Sequence, residues 1–186
     1  TAPVRPVNAT YYFNTGSDGT APVAADYVGD SAGKNGFNAF DSVDDGLQVA
    51  APEISDDTVN IGGSAYAEGR KDIVYFAHLS NSLTTAATII SAKQALNINS
   101  YYTAFFAGGL TITDPVSGLE KDISEIGDVL GVMAFNDNIA PWFSPAGTNR
   151  GLIPNALGVV NNFGSAAMYN SLSLLANAQV NMVIQQ

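Results

Sequence analysis

Few side chains in this sequence belong to the types that carry out catalysis or bind metal ions. The chain has one histidine, His78, and no cysteine among its 186 residues. A single histidine excludes a two-histidine metal site, and the lack of cysteine excludes disulfides and thiolate ligands. His78 follows an apolar run at residues 73–77, where α/β enzymes place catalytic groups, but no Gly-x-Ser-x-Gly elbow supplies a nucleophile. We therefore interpret His78 as structural and predict that the protein is not an enzyme.

Two short segments match ligand-binding loops only in part. Residues 29–35 resemble a phosphate-binding loop, but the spacing is one residue short and Asn35 stands where a Ser or Thr should hold magnesium. Asp41, Asp44 and Asp45 precede a glycine as in a calcium loop, but Val43 occupies a ligand position and no Glu follows at the right distance. We interpret the second segment as a solvated turn, and we expect neither a cofactor nor a metal ion.

The most specific local pattern is the loop at residues 141–151. It contains the only tryptophan, two prolines, two glycines and the only charged residue from position 138 to the end of the sequence. The two prolines fix the backbone, and the two glycines can take positive φ where the path turns. This composition predicts a rigid, built loop. Its distinctive residues are Pro141, Trp142, Pro145, Ala146, Gly147, Arg150 and Gly151.

Two side chains of this loop carry specific expectations. We predict that Trp142 is largely buried against the helix at residues 122–136, because the loop follows that helix directly. Arg150 can bond several carbonyl groups or a carboxylate with its guanidinium, which would lock the loop. The alternative is that Arg150 is a solvent-exposed side chain.

The elements that position these residues follow from hydrophobic spacing and capping signals. Strands are predicted at residues 11–13, 47–51, 73–77, 101–106, 110–113, 157–160 and 180–184. Helices are predicted at residues 22–28, 55–71, 82–96, 122–136 and from 165 onwards. Helices between apolar strands predict an α/β fold with a layered, mostly parallel β-sheet flanked by helices.

Some details of this fold depend on single residues. The unbroken apolar run at residues 73–77 predicts a central strand. Gly108 and Gly109 predict a small hairpin that joins the strands at 101–106 and 110–113. Asp122 and Glu125 have the spacing of a helix cap and its partner. Gly62 and the glycine after it can break the second helix. The strand at 180–184 has no predicted partner, so we expect the sequence to be a fragment of a longer protein.

The charge distribution limits the possible partners. The formal net charge is −10, and 11 of the 17 acidic residues lie between Asp18 and Asp72. Such an acidic surface disfavours nucleic acid and anionic membranes as partners. Charged residues make up 13% of the chain, against about 25% in ordinary soluble domains. The surface is therefore either neutral and polar, or partly covered by neighbours in an assembly.

The loop at residues 141–151 resembles the Trp-x-x-Pro-Ala-Gly-x-x-Arg-Gly signature of contractile phage tail sheath proteins. The order of motifs in the first half resembles the same family, with a glycine-rich turn, a Tyr-x-Gly step and an Ala-Ala-Pro strand end. The turn is formed by Gly16, Ser17, Asp18 and Gly19, and its Asp is expected to accept backbone hydrogen bonds. The sequence departs from the family pattern at three positions: Thr15 replaces the usual first glycine of the turn, and Phe37 and Phe40 replace the usual leucines. These departures leave the geometry of the first turn open.

The resemblance implies one sheath-type α/β domain at residues 1–186 that lacks the strand-exchanging arms of the family. It implies a structural subunit, without enzymatic activity, that forms stacked hexameric rings around a tail tube and contracts to drive injection. The implied partners are other copies, the tail tube protein and the baseplate. The implied location is the virion tail, assembled in the host cytoplasm. Lacking the arms, this chain alone is expected to be monomeric.

Three alternatives remain open at this stage. A sheath of a phage-derived bacteriocin or extracellular injection particle would have the same motif. An α/β enzyme or small-ligand-binding domain would be favoured by a pocket that joins His78 to several carboxylates. A β-rich adhesin module is disfavoured by the strong helices.

Overall fold

The computed structural model describes residues 16–17, 19–163 and 165–185. The strand predicted at residues 11–13 and the predicted role of Asp18 lie outside the described residues. Within them, the helices and strands follow in this order: α1 (Ala24–Val28), a 3-10 helix (Gly36–Ser42), β1 (Leu47–Ala50), α2 (Asp57–Arg70), β2 (Ile73–His78), α3 (Ala86–Ala95), β3 (Thr103–Ala107), β4 (Leu110–Thr113), β5 (Glu120–Ile123), α4 (Ile126–Ile139), α5 (Gly147–Arg150), β6 (Gly158–Val159), α6 (Ser165–Asn177) and β7 (Val180–Met182).

The main sheet has four parallel strands in the order β1-β2-β3-β7. The predicted central strand is confirmed, because β2 pairs with β1 on one side and with β3 on the other. The prediction that the last strand lacks a partner is wrong, because Val180 of β7 pairs with Phe105 of β3. A partner distant in sequence could not be identified from the local pattern of the last strand.

The hydrophobic core lies between one face of the main sheet and helices α2, α3 and α6. Ile73, Tyr75 and Ala77 alternate along β2 and point into this core. They pack in one buried cluster with Ile89 of α3 and Leu175 of α6. Because β1, β2 and β3 follow one another in the sheet, right-handed crossovers place their connecting helices on the same face. The predicted α/β layered fold is therefore confirmed.

Helix α2 shows how the capping signals of the sequence work. The carboxylate of Asp56 accepts hydrogen bonds from the backbone N–H groups of Thr58 and Val59, at 2.8 and 3.2 Å. The helix ends at Lys71, which has a left-handed backbone conformation. The adjacent glycines do not break it. A Cβ atom on Gly63 would lie 2.4 Å from the Tyr75 ring, so this glycine allows close packing of α2 on the sheet.

A second, three-stranded sheet has the order β5-β4-β6, and both of its pairings are antiparallel. The predicted hairpin between the strands at 101–106 and 110–113 is therefore wrong. Gly108 and Gly109 both have positive φ, and they direct the chain away from β3 into a separate sheet. There Leu110 pairs with Ile123 and with Val159.

The start of α4 also differs from the prediction. Asp122 lies in β5 and does not cap a helix; its carboxylate accepts a hydrogen bond from the Thr111 hydroxyl at 2.7 Å. Strand pairing with β4 thus holds this residue in an extended conformation, and α4 begins at Ile126. Helix α4 contacts β1 and β2 of the main sheet.

None of the helices in the described ranges is long and apolar enough to cross a bilayer.

Candidate functional site

A buried asparagine near the end of α4 holds the start of the loop at residues 141–151 against the helix. Asn136 donates from Nδ2 to the carbonyl oxygen of Phe143 at 2.6 Å and to that of Ala140 at 3.4 Å. The backbone N–H of Phe143 in turn donates to the Ala140 carbonyl at 3.0 Å. These bonds fix the direction in which the chain leaves the helix. Sequence reasoning missed Asn136, although it continues the inward helical spacing of Ile126 and Val129.

The two ends of the loop meet through an aromatic ring and a cation. The Cζ atom of Arg150 lies 3.7 Å from the centroid of the Phe143 ring, which is a cation–π contact. Within the described ranges Arg150 makes no hydrogen bond or ion pair. The side chain therefore contacts Phe143 through a ring face, and the predicted bonds to carbonyl groups or a carboxylate are not present among the described residues.

The glycines and the second proline shape the middle of the loop. Gly147 has φ +71°, as predicted, and begins the single turn of α5. Gly151 has φ −112°, so the prediction of positive φ is wrong there. A Cβ atom at Gly151 would lie 2.9 Å from the Pro145 carbonyl oxygen and 2.9 Å from the Cα atom of Ala146. Glycine is required at this position because two parts of the loop approach each other closely.

Trp142 is 79% exposed, so the prediction that it packs against the preceding helix is wrong. The hydrogen bonds of Asn136 turn the chain at Ala140, and Trp142 then lies on the outside, with its ring 6.2 Å from that of Phe143. Two large side chains on the last turns of α4 are also exposed, Phe135 by 67% and Ile139 by 60%. Phe135 and Ile139 lie one turn apart on the same side of α4, and we call these two side chains the α4 patch.

A cavity of about 630 Å³ lies between the loop, α4 and the two sheets. Its lining includes Phe106, Leu110, Val129, Met133 and Val159. No charged side chain lines it among the described residues, so it contains no carboxylate, imidazole or amine for acid–base chemistry. The cavity is suited to apolar groups.

His78 lies in a buried polar cluster at the end of β2. Its Nδ1 atom is 3.3 Å from Oε1 of Glu125, and Oε2 of Glu125 accepts a hydrogen bond from the Gly109 N–H at 3.0 Å. Both side chains are buried, and neither lines the cavity of about 630 Å³. The pair therefore has no access for a substrate, and it fastens the Gly109 turn to the main sheet.

The cluster continues into the core below β2. The Tyr75 hydroxyl donates to Oδ1 of Asn60 at 3.1 Å, and Nδ2 of Asn60 donates to the His78 carbonyl oxygen at 3.1 Å. Burial raises the pKa of the Tyr75 hydroxyl, so this group stays protonated as a donor. The Tyr75 hydroxyl, the Asn60 amide and the Glu125 carboxylate all have partners in this chain of contacts, which is typical of a structural network.

The other motif residues form turns held by their own side chains. In residues 29–35, the Asp30 N–H donates to Asn35 Oδ1 and the Gly33 N–H donates to Asp30 Oδ1. These donors are therefore not directed at a phosphate. In the first turn, Gly19 has φ +79° and its N–H donates to the Ser17 hydroxyl at 3.3 Å. Gly16 of the same turn is exposed. No group of three or more metal-ligating side chains is present in the described ranges.

Comparison with protein-family models finds no match to this sequence, and neither does comparison with curated proteins. The relation to tail sheath proteins therefore depends on the motif residues and remains a proposal.

Proposed function

We propose that this chain is a structural subunit of a contractile tail sheath, which assembles with copies of itself around a tail tube. The observation that carries the proposal is the loop at residues 141–151. Its signature residues form a rigid structure held by Asn136 and by the contact between Arg150 and Phe143. That structure exposes the only tryptophan of the chain.

A large, exposed aromatic side chain on a rigid loop is typical of a protein–protein interface. Tryptophan and arginine are the residue types most enriched among those that dominate binding energy. The exposed apolar side chains of the α4 patch add surface whose burial is favourable, although Asp137 lies exposed between them and Arg150 contacts the Phe143 ring. The proposed partners are further copies, the tube protein and the baseplate, and the proposed location is the virion tail.

The buried His78–Glu125 pair argues against the alternative of an enzyme. An active site would need these groups to face a cavity, and they are enclosed. The absence of activity is part of the proposal, and it predicts blank results in hydrolase and nucleotide-turnover screens.

Electron microscopy of the protein in its natural form tests the proposal. Striated tubes or stacked rings are expected from the purified protein at high concentration. Particles that stay monomeric at all salt and protein concentrations, also with the tube protein present, would contradict it. This chain alone is expected to be monomeric in light scattering.

A second candidate function is favoured by the cavity of about 630 Å³, whose apolar lining would suit an apolar small molecule. Native mass spectrometry of the purified chain tests this. A bound mass that is lost when Val129 at the cavity wall is replaced by Trp would support it, and a ligand-free spectrum would oppose it.

A further inference from the structure

The guanidinium of Arg150 is held in place, and its N–H groups make no hydrogen bond to any residue in the described ranges. It rests on the face of the Phe143 ring, which restricts its side-chain freedom. An arginine has five N–H donors around the edge of its planar group, and stacking on a ring leaves that edge open. Such an ordered fork binds a carboxylate with two parallel hydrogen bonds, at less entropic cost than a mobile side chain. The exposed Trp142 ring lies 6.2 Å from the Phe143 ring on which the guanidinium rests.

The same chain carries a pair of carboxylates without partners. Asp44 and Asp45 are exposed in the connection between the 3-10 helix and β1, and neither has a hydrogen bond or an ion pair among the described residues. Other carboxylates nearby are engaged: Asp41 accepts from the Tyr66 hydroxyl at 2.8 Å, and Asp72 pairs with Arg70. Asp57 and Glu68 are also exposed without a hydrogen bond or ion pair to the described residues, but Asp44 and Asp45 are the two neighbouring carboxylates of the described acidic half of which neither is engaged.

The segment with this acidic pair is also held in a defined position. Arg70 donates to the carbonyl oxygens of Phe40 at 2.6 Å and Val43 at 2.8 Å. The same guanidinium lowers the pKa of the Asp72 carboxyl below its ordinary value, so that ion pair persists at neutral pH. A carboxylate pair on an anchored segment loses little freedom on binding.

We propose that Arg150, Phe143 and Trp142 form a carboxylate-binding site, which takes Asp44 and Asp45 of a second copy of this chain. The argument for a second copy is charge complementarity. Arg150 is the only charged residue from position 138 onwards, and the acidic residues are concentrated in the other half of the same sequence. The inference depends on the proposed self-assembly, and it names one contact between subunits.

This contact joins two different surfaces of the same protein. Each copy offers one arginine site and one acidic pair, so every bound copy leaves a further site open at each end. Contacts of this heterologous type produce rings when they close and helical arrays when they do not. The contact is small, so a dissociation constant of about a millimolar is expected for the isolated chain. This affinity agrees with an isolated chain that is monomeric at ordinary concentrations.

Fluorescence of Trp142 gives a direct test, because it is the only tryptophan and lies in the proposed site. A dilute sample of the parent chain is titrated with a Trp142→Phe copy, which supplies acidic pairs but no tryptophan emission. A saturable blue shift of the emission is expected, and it should weaken as salt is added. A titrant with Trp142→Phe, Asp44→Asn and Asp45→Asn is the matched control. Its binding should be at least about tenfold weaker, because charge-assisted hydrogen bonds are lost.

Variants of the receiving chain complete the test. Arg150→Gln should bind the acidic titrant at least about tenfold more weakly than the parent. Arg150→Glu should not bind it, and should instead bind a Trp142→Phe titrant that also carries Asp44→Arg and Asp45→Arg. This restored binding would show that the Arg150→Glu chain is folded and that charge pairing is responsible.

The proposal is overturned if the control titrant shifts the emission as strongly as the acidic one, or if the exchanged charges fail to bind. It is also overturned if the parent chain shows no shift up to several times the expected dissociation constant. Striated tubes in the electron microscope together with a negative titration would leave the sheath function standing and reject only this contact. A positive titration without tubes would reject the sheath function and keep the contact.

Discussion

Replacement of Glu125 by alanine tests whether the buried polar cluster holds the second sheet onto the main one. The carboxylate is fully buried and contacts Nδ1 of His78 and the N–H of Gly109. We predict that Glu125→Ala is among the most destabilising substitutions in the chain.

The magnitude follows from the groups left without partners. A buried donor that loses its acceptor costs about 1–3 kcal/mol, and both the Gly109 N–H and the His78 ring are affected. Removal of one member of a buried pair costs about 3–5 kcal/mol in other proteins, so we expect a loss in that range. Glu125→Gln should cost less, about 1–2 kcal/mol, because the amide oxygen can still accept from Gly109.

Urea denaturation followed by far-ultraviolet circular dichroism measures the free energy of unfolding directly. Tryptophan fluorescence is less suitable here, because Trp142 is exposed in the folded state. Glu120→Ala is the matched control, since Glu120 lies exposed on the neighbouring strand β5 and should change stability by less than about 0.5 kcal/mol. A Glu125→Ala chain within about 1 kcal/mol of the parent would show that the cluster does not fasten the two sheets.

Two further predictions concern packing and can be measured by the same denaturation. Gly63→Ala should destabilise the chain, because its Cβ atom would lie 2.4 Å from the Tyr75 ring, whereas Gly69→Ala in the same helix meets no atom within 4 Å. Gly69→Ala should therefore stabilise by about 0.5–1 kcal/mol through helix propensity, and equal effects at both sites would contradict the packing of α2. Trp142→Ala should cost less than about 1 kcal/mol, since only about a fifth of the side chain is covered. A loss above about 2 kcal/mol would mean that this ring is packed within the fold.

The sequence predicted best those features that depend on neighbouring residues. The apolar run at 73–77 forms the central strand β2, and Asp56 caps α2 next to residue 55, where the helix was predicted to begin. Both results depend on local rules, namely strand burial and N-cap hydrogen bonding.

Features that depend on distant partners were predicted poorly. Only two glycines separate Leu110 from the end of β3. They turn the chain out of the main sheet, so Leu110 pairs with Ile123 and Val159 instead. No local pattern distinguishes that outcome from a hairpin. The adjacent glycines of α2 were named only as residues that can break a helix, but Gly63 is needed there because the Tyr75 ring of β2 packs against it.

The same limit applies to the candidate site. The sequence predicted a rigid loop with Arg150 joining its parts, but the side chain that receives Arg150 is Phe143. The position of Trp142 depends on hydrogen bonds of Asn136 to two backbone carbonyls, which fix the exit from α4. Neither contact follows from a fixed spacing between residues, so neither can be identified from a single sequence.

The late return of β7 to the main sheet has a consequence for the order in which the protein folds. Strands β1, β2 and β3 follow one another with one helix in each crossover, whereas residues 108–179 separate β3 from β7. Closing that long loop carries a larger entropic cost than the short crossovers, and pairings of high contact order form slowly. We expect β7 to be the last strand to join, so the edge of β3 stays unpaired in a folding intermediate. An unpaired edge can recruit a strand from another chain, so refolding at high concentration should favour exchanged species over the monomer.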